Sequence, residues 1–131
     1  MMLVDTSVWV DHFRGIDSPE AGRLAAAIED EEDLCICGVV LAEVLQGIAP
    51  ERQYEQVRRA MLDLVYLPID RSGFLLAADL YRAARARGRT IRSSVDCVIA
   101  ACAVAHDVPL LQRDKDFLAI AEVSRLRLVR V

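Results

Sequence analysis

Four apolar runs constrain this chain more than any other feature: Leu3-Val4, Leu34 to Cys37, Val65 to Leu67 and Leu110-Leu111. Each is too short and too uniformly apolar to alternate between a wet face and a dry one. Longer segments with apolar residues three and four apart separate them. Short continuous runs are the pattern of strands buried on both faces, and the helices between them supply the crossovers that parallel strands need. The pattern predicts an α/β fold with a short-stranded, mainly parallel central sheet covered by helices on both sides. A last strand is predicted over Arg127 to Val131.

The helical segments follow from caps and spacing. Thr6 or Ser7 is placed to cap a first helix carrying Trp9 and Phe13, which Gly15 stops. Pro19 opens a second, with Ala21, Leu24, Ala25 and Ile28 on one face. A helix runs from Gly38 to about Gln46, and another from about Glu51 sets Tyr54, Val57, Met61 and Leu64 at helical spacing. Ser72 to Arg87 reads as a long helix with Phe74, Ala77, Ala78, Tyr81 and Ala84 inward, and Gly88 as its C′ residue. Ser93-x-x-Asp96 resembles a capping box with Asp in place of Glu. The helix behind it, to about His106, is apolar on nearly every side, and Asp114 to Ala121 holds a short one. There is no internal repeat, linker or low-complexity tract, so residues 1–131 read as one domain.

Composition narrows the class. Counted with glycine and without tyrosine, the apolar share lies above the usual ~45–50%, which excludes intrinsic disorder. The longest near-apolar stretch, Cys97 to Ala105, is about half of what a transmembrane helix needs. The N-terminal residues have neither a basic region nor a cleavable apolar segment, which predicts a cytoplasmic protein. Cys35, Cys37, Cys97 and Cys102 lie among apolar neighbours, form no CxxC, and read as buried thiols rather than disulfides or a zinc site.

Acids stand at the ends of the predicted strands. Asp5 follows the first, Glu43 lies six residues after the second, Asp96 opens the most apolar helix, and Asp114 and Asp116 follow the fourth. Open α/β sheets bind ligands beyond the carboxyl ends of their strands. Each acid also has a structural reading: Asp5, Asp96 and Asp114 or Asp116 as helix caps. Glu43 resists that reading, because Val39 to Ala42, Val44 and Leu45 surround it and no neighbouring base offers itself. Four or five carboxylates in one pocket could not all ionise unaided. A divalent cation resolves the conflict, and an all-oxygen ligand set selects Mg²⁺ or Mn²⁺ over zinc. Such a site suits phosphodiester hydrolysis. No phosphate-cradling glycine loop and no G-x-S-x-G competes, and His12 and His106 lack partners at catalytic spacing.

The net charge of −4 argues against a nucleic-acid partner only when charge position is ignored. Arg82, Arg85, Arg87, Arg89 and Arg92 fall within eleven residues that contain no acid. Arg82, Arg85 and Arg89 recur at i, i+3, i+7 and make a basic helix face leading toward Asp96. That face reads as a track for RNA phosphates, or as a solvated face in a chain with one lysine, Lys115, among 16 basic residues.

Four segments, in order and at this spacing, carry a resemblance: Leu-Val-Asp5-Thr6-Ser7-Val-Trp9-Val, Val40-Leu-Ala-Glu43-Val-Leu-Gln-Gly47, Arg92-Ser-Ser-Val-Asp96-Cys-Val-Ile-Ala-Ala, and Arg113-Asp114-Lys-Asp116-Phe117. With them the chain resembles a PIN-domain ribonuclease, specifically a VapC-type toxin of a toxin–antitoxin pair. The resemblance implies a three-layer α/β/α fold and a Mg²⁺-dependent endoribonuclease, with Mn²⁺ as substitute, acting on tRNA or rRNA and leaving a 5′-phosphate. It implies catalytic roles for Asp5, Glu43, Asp96 and Asp114. Asp5 and Asp96 would be direct metal ligands, Asp114 and Asp116 would bind through water or a second metal, and Glu43 would position or deprotonate water. Thr6 or Ser7 would hold Asp5 or touch phosphate, and RNA contacts fall to Ser7, Arg82, Arg85, Arg89 and Arg92. It further implies a homodimer, a VapB-type antitoxin that blocks the site, and DNA contact only through that antitoxin. Gln112 departs from the family, which usually has a small hydroxyl or amide residue there. Two other readings stay open: a non-catalytic PIN-like interaction module, and a phosphatase or nucleotide hydrolase with the same metal chemistry.

Overall fold

The computed structural model describes residues 1–131. In chain order the elements are β1 (Met2–Val4), α1 (Thr6–Arg14), α2 (Pro19–Glu29), β2 (Leu34–Cys37), α3 (Gly38–Gln46), α4 (Glu51–Leu62), β3 (Val65–Leu67), α5 (Arg71–Ala86), α6 (Ser94–Ala105), β4 (Leu110–Leu111) and α7 (Lys115–Glu122). The four strands form one sheet in the order β3-β2-β1-β4, and every pair is parallel. Every residue of β1, β2 and β4 is buried. Successive side chains of a strand point to opposite faces, so both faces of the sheet are covered, as their uninterrupted apolar character predicts. The edge strand β3 leaves Val65 and Tyr66 exposed and buries only Leu67.

β1 sits between β2 and β4, with Leu3 opposite both Cys35 and Leu110. Helices α1, α2, α3 and α4 pack on one another; α5, α6 and α7 form a second group joined to the first through α3 and α6. One contiguous core of 33 buried residues runs through both groups, from Val8 and Trp9 of α1 to Phe117 and Ile120 of α7. Cys35, Cys37, Cys97 and Cys102 are all buried within it as free thiols. Burial pushes the Cys97 thiol up to about 11, so the sulfur stays a protonated, buried core atom at neutral pH.

Three sequence expectations change. The inner face of α5 is Gly73, Ala77, Leu80 and Ala84, whereas Phe74 is 53% exposed and Ala78 is not among the buried residues. Gly73 leaves room for the segment that leads into α5: a Cβ there would meet Ile69 Cγ2 at 2.9 Å. The bulk of Phe74 misled the periodicity reading. Likewise α2 buries Ala21, Leu24 and Ala27, and turns Ala25 and Ile28 outward. The last predicted strand is reduced to one parallel bridge between Leu110 and Leu128, held by Leu110 N–H to Arg127 O and Val129 N–H to Leu110 O, both 2.9 Å. Gly15 and Gly88 end α1 and α5 at φ +69° and +78°, the left-handed conformation expected of glycine there.

Candidate active site

The site lies where the parallel strands end. Asp5 is the first residue after β1, and its N–H continues the ladder to Leu111 O at 2.9 Å. Its carbonyl accepts the Val8 and Trp9 N–H groups and so starts α1. Its carboxylate makes no helix-capping bond. It accepts the Ser7 hydroxyl instead, at 2.6 Å. Asp5 is therefore a backbone cap whose side chain is free for something else, although the residue is only 5% exposed.

The other acids reach the site from three more elements. Glu43 projects from the middle of α3 and accepts the Thr6 hydroxyl at 2.7 Å. Neighbouring hydroxyls of one turn thus hold two acids remote in sequence. Asp96 lies in the first turn of α6, and the cap expected of Ser93 makes no side-chain bond. Asp114 caps α7 by accepting Asp116 N–H at 2.9 Å, while Asp114 N–H donates to Gln112 Oε1 at 2.6 Å. Gln112 supplies the local hydrogen bond that its departure from the family pattern left open. Carboxylate oxygens of Asp96, Asp114 and Asp116 lie within 4.8 Å of one another, close enough to share one cation.

Electrostatics describe a site with surplus negative charge. Burial pushes the Asp96 carboxyl up to about 7, reinforced by the negative charges of Asp5, Asp114, Asp116 and Glu43. Asp5 is also raised, by burial first and by Glu43 last, against the lowering effect of the Ser7 hydroxyl and of the nearby Thr6 and Ser7 backbone N–H groups. One basic side chain enters the cluster. Arg92 donates to Asp114 Oδ1 through Nη2 at 3.0 Å and to Asp116 Oδ2 through Nε at 3.2 Å, and its backbone N–H reaches the same Asp116 oxygen at 3.1 Å. Hard oxygen donors with unbalanced charge fit a divalent cation such as Mg²⁺ or Mn²⁺.

The raised Asp96 fixes a pH dependence. Its folded pKa lies above the unfolded value of about 3.9, so the native chain holds a proton that the unfolded chain has released. That stabilisation is complete below about pH 4 and is lost as pH rises through about 7. The lowered carboxyls Glu32 and Asp70 act with the opposite sign at more acid pH, and His12, lowered by burial, opposes Asp96 within the window and offsets part of its effect. In EDTA the thermal midpoint is expected to be a few degrees higher at pH 5.5 than at pH 8, about 1 kcal/mol after allowing for Asp96's partial exposure. Asp96→Asn should flatten the difference; a midpoint higher at pH 8 would contradict it.

The remaining candidates divide. Arg82, Arg85 and Arg89 are exposed; Arg85 lies 5.7 Å over the Tyr81 ring, and Arg89 is 4.0 Å from Glu122. Arg92 is turned into the acids, and Ser7 spends its hydroxyl on Asp5. His106 ends α6 with Nε2 at 2.8 Å from Pro68 O, and His12 packs beside Trp9 and Phe13; neither touches the acids. Sequence reasoning missed Asp11, which is buried and forms a two-pronged ion pair with Arg113 at 2.7 and 3.2 Å. Its position three residues after Val8, on the stripe that α1 buries, was the available signal.

A parallel sheet of this order with acids gathered from four segments at its carboxyl edge defines a class. The sequence matches the PIN domain over residues 2–123, and the chain belongs to that family. It is 36% identical over 129 residues to ribonuclease VapC11 of Mycobacterium tuberculosis, covering 97% of this chain and 96% of that one. The fold is shared with a toxin–antitoxin complex from Klebsiella pneumoniae, at a TM-score of 0.71 and 23% identity over 89% of this chain and 90% of that one. It is shared too with VapBC2 from Rickettsia felis bound to a promoter DNA fragment, at 0.75 and 17%, covering 98% and 96%. No helix is long and apolar enough to cross a membrane.

Proposed function

We propose that residues 1–131 act as one PIN-like domain, the toxin of a type II toxin–antitoxin pair, and hydrolyse RNA phosphodiester bonds with Mg²⁺. The observation that carries this reading is the near full-length identity to a VapC ribonuclease, joined to three acids, Asp96, Asp114 and Asp116, whose oxygens lie within 4.8 Å of one another, with the charges of Asp5 and Glu43 acting on the same Asp96. A non-catalytic module would have no need to hold Asp5 and Glu43 with dedicated hydroxyls.

Asp5, Asp96, Asp114 and Asp116 would hold the cation. When bound it supplies the positive charge that acidifies water and neutralises the phosphate in the transition state. Ser7 fixes the Asp5 carboxylate and Thr6 fixes Glu43. Glu43 takes the proton of the attacking water on a carboxylate oxygen, and Thr6 keeps its other oxygen aimed. Arg82, Arg85 and Arg89 draw the RNA backbone toward Asp96. The substrate is tRNA or rRNA. By likeness to the toxin–antitoxin neighbours, the partners are a VapB-type antitoxin and a second copy of this chain in the cytoplasm, with DNA reached through the antitoxin.

Antitoxin-free protein incubated with total RNA should give discrete fragments in Mg²⁺ or Mn²⁺ and none in EDTA. Replacing Arg82, Arg85 and Arg89 together by alanine should lower cleavage ~10-fold or more, steeply with salt, and leave metal affinity unchanged. No cleavage by folded protein in either metal would favour the interaction module. RNA cleavage indifferent to the three arginines would remove them from the phosphate track, whereas hydrolysis of a small phosphate ester without RNA cleavage would favour a phosphatase.

A further inference from the structure

We propose that Arg92 takes the place of a second cation in the acidic cluster and limits it to one divalent ion per chain. The inference rests on the metal-dependent reading above and concerns how that site is filled. In a two-ion site the ions sit ~3.5–4 Å apart and clamp the reacting group between them. Here a guanidinium spans the acids: Nη2 takes Asp114 Oδ1 at 3.0 Å and Nε takes Asp116 Oδ2 at 3.2 Å.

The arm is fixed at its root as well as its tip. Arg92 N–H donates to the same Asp116 oxygen at 3.1 Å, so the loop between α5 and α6 delivers the charge from a set position. Asp114 Oδ1 also receives Asp116 N–H at 2.9 Å. Both oxygens facing Arg92 thus carry two donors each, which leaves Asp114 and Asp116 one further oxygen apiece. One oxygen each of Asp96, Asp114 and Asp116 lie within 4.8 Å of one another, and with Asp5, whose charge also acts on Asp96, these acids make a ligand set for a single hard ion. The fork geometry matters, because a planar guanidinium spans two carboxylates where an ammonium meets one point. Arg92 is therefore a positioning residue that holds Asp114 and Asp116 as a pair, and it is withdrawn from the phosphate track.

Mn²⁺ titrated into metal-free protein, followed by calorimetry and by the electron-spin signal of free Mn²⁺, tests this. Wild type should bind one ion per chain and Arg92→Gln two. Arg89→Gln removes an equal charge from the same arginine cluster and should stay at one. Arg92 is largely exposed, and circular dichroism checks the fold of each variant. One ion in both wild type and Arg92→Gln would overturn the inference while leaving the metal-dependent reading intact. Two ions in wild type would overturn it whatever the variants do. No binding by wild type would defeat the metal-dependent reading, and this inference with it.

Discussion

Asp5→Asn and Asp96→Asn each lower RNA cleavage by ~10³-fold or more and leave the fold intact, the size expected when a group acts mainly in the transition state. The substitution is nearly isosteric and removes only charge and ligand strength. In Asp5→Asn the amide oxygen still accepts the Ser7 hydroxyl, so the start of α1 is undisturbed. Both acids are raised above their ordinary range, chiefly by burial. Each therefore costs the metal-free protein stability when ionised. In EDTA at pH 8 both variants should melt at or above the wild-type temperature while failing in single-turnover cleavage with Mg²⁺. That combination separates a group kept for chemistry from one kept for structure. A variant that melts lower and keeps its activity would show that the acid serves the fold.

Much of this site was legible because it is built on backbone positions that sequence pattern reports. Leu3-Val4 and Leu110-Leu111 could only be buried parallel strands, and their ends fix where Asp5 and Asp114 stand. Gly38 to Gln46 is plainly helical, and it carries Glu43 where no neighbouring residue pairs with it. What could not be read were relations between side chains from different segments. Either Thr6 or Ser7 could have held Asp5; the turn geometry gives Ser7 to Asp5 and Thr6 to Glu43, which lies 37 residues away. Arg92 belonged by sequence to a run of five arginines, and only the fold turns it into the acids. The rotation of α5 failed for a different reason. Ala77 and Ala84 are inward as expected, but periodicity took the bulk of Phe74 as part of that stripe and passed over Gly73 and Leu80, which complete it.

The pair furthest beyond the reach of sequence carries the largest expected effect on stability. Asp11 and Arg113 are 102 residues apart. They tie α1, which follows Asp5, to the loop that carries Gln112 and Asp114. The two ends of the bridge are unequal: the Asp11 side chain is 3% exposed and that of Arg113 44%. Removing the arginine strands a charge in the core, whereas removing the acid lets the arginine turn to water. Arg113→Ala should therefore cost roughly 3 kcal/mol, and Asp11→Ala about 1 kcal/mol. For a chain of this size the first is a fall of roughly 10 °C in thermal midpoint. The double change Asp11→Leu with Arg113→Met should recover most of that loss, because an apolar pair needs no counter-charge. It should not recover full metal affinity, since the loop before Asp114 then lacks its charged tether to α1. Urea melts and Mn²⁺ titration of the three variants measure both quantities. Equal losses in the two single variants would mean that Asp11 finds water once unpaired. The bridge would then be a surface contact rather than the bolt between the first strand's acid and the last strand's.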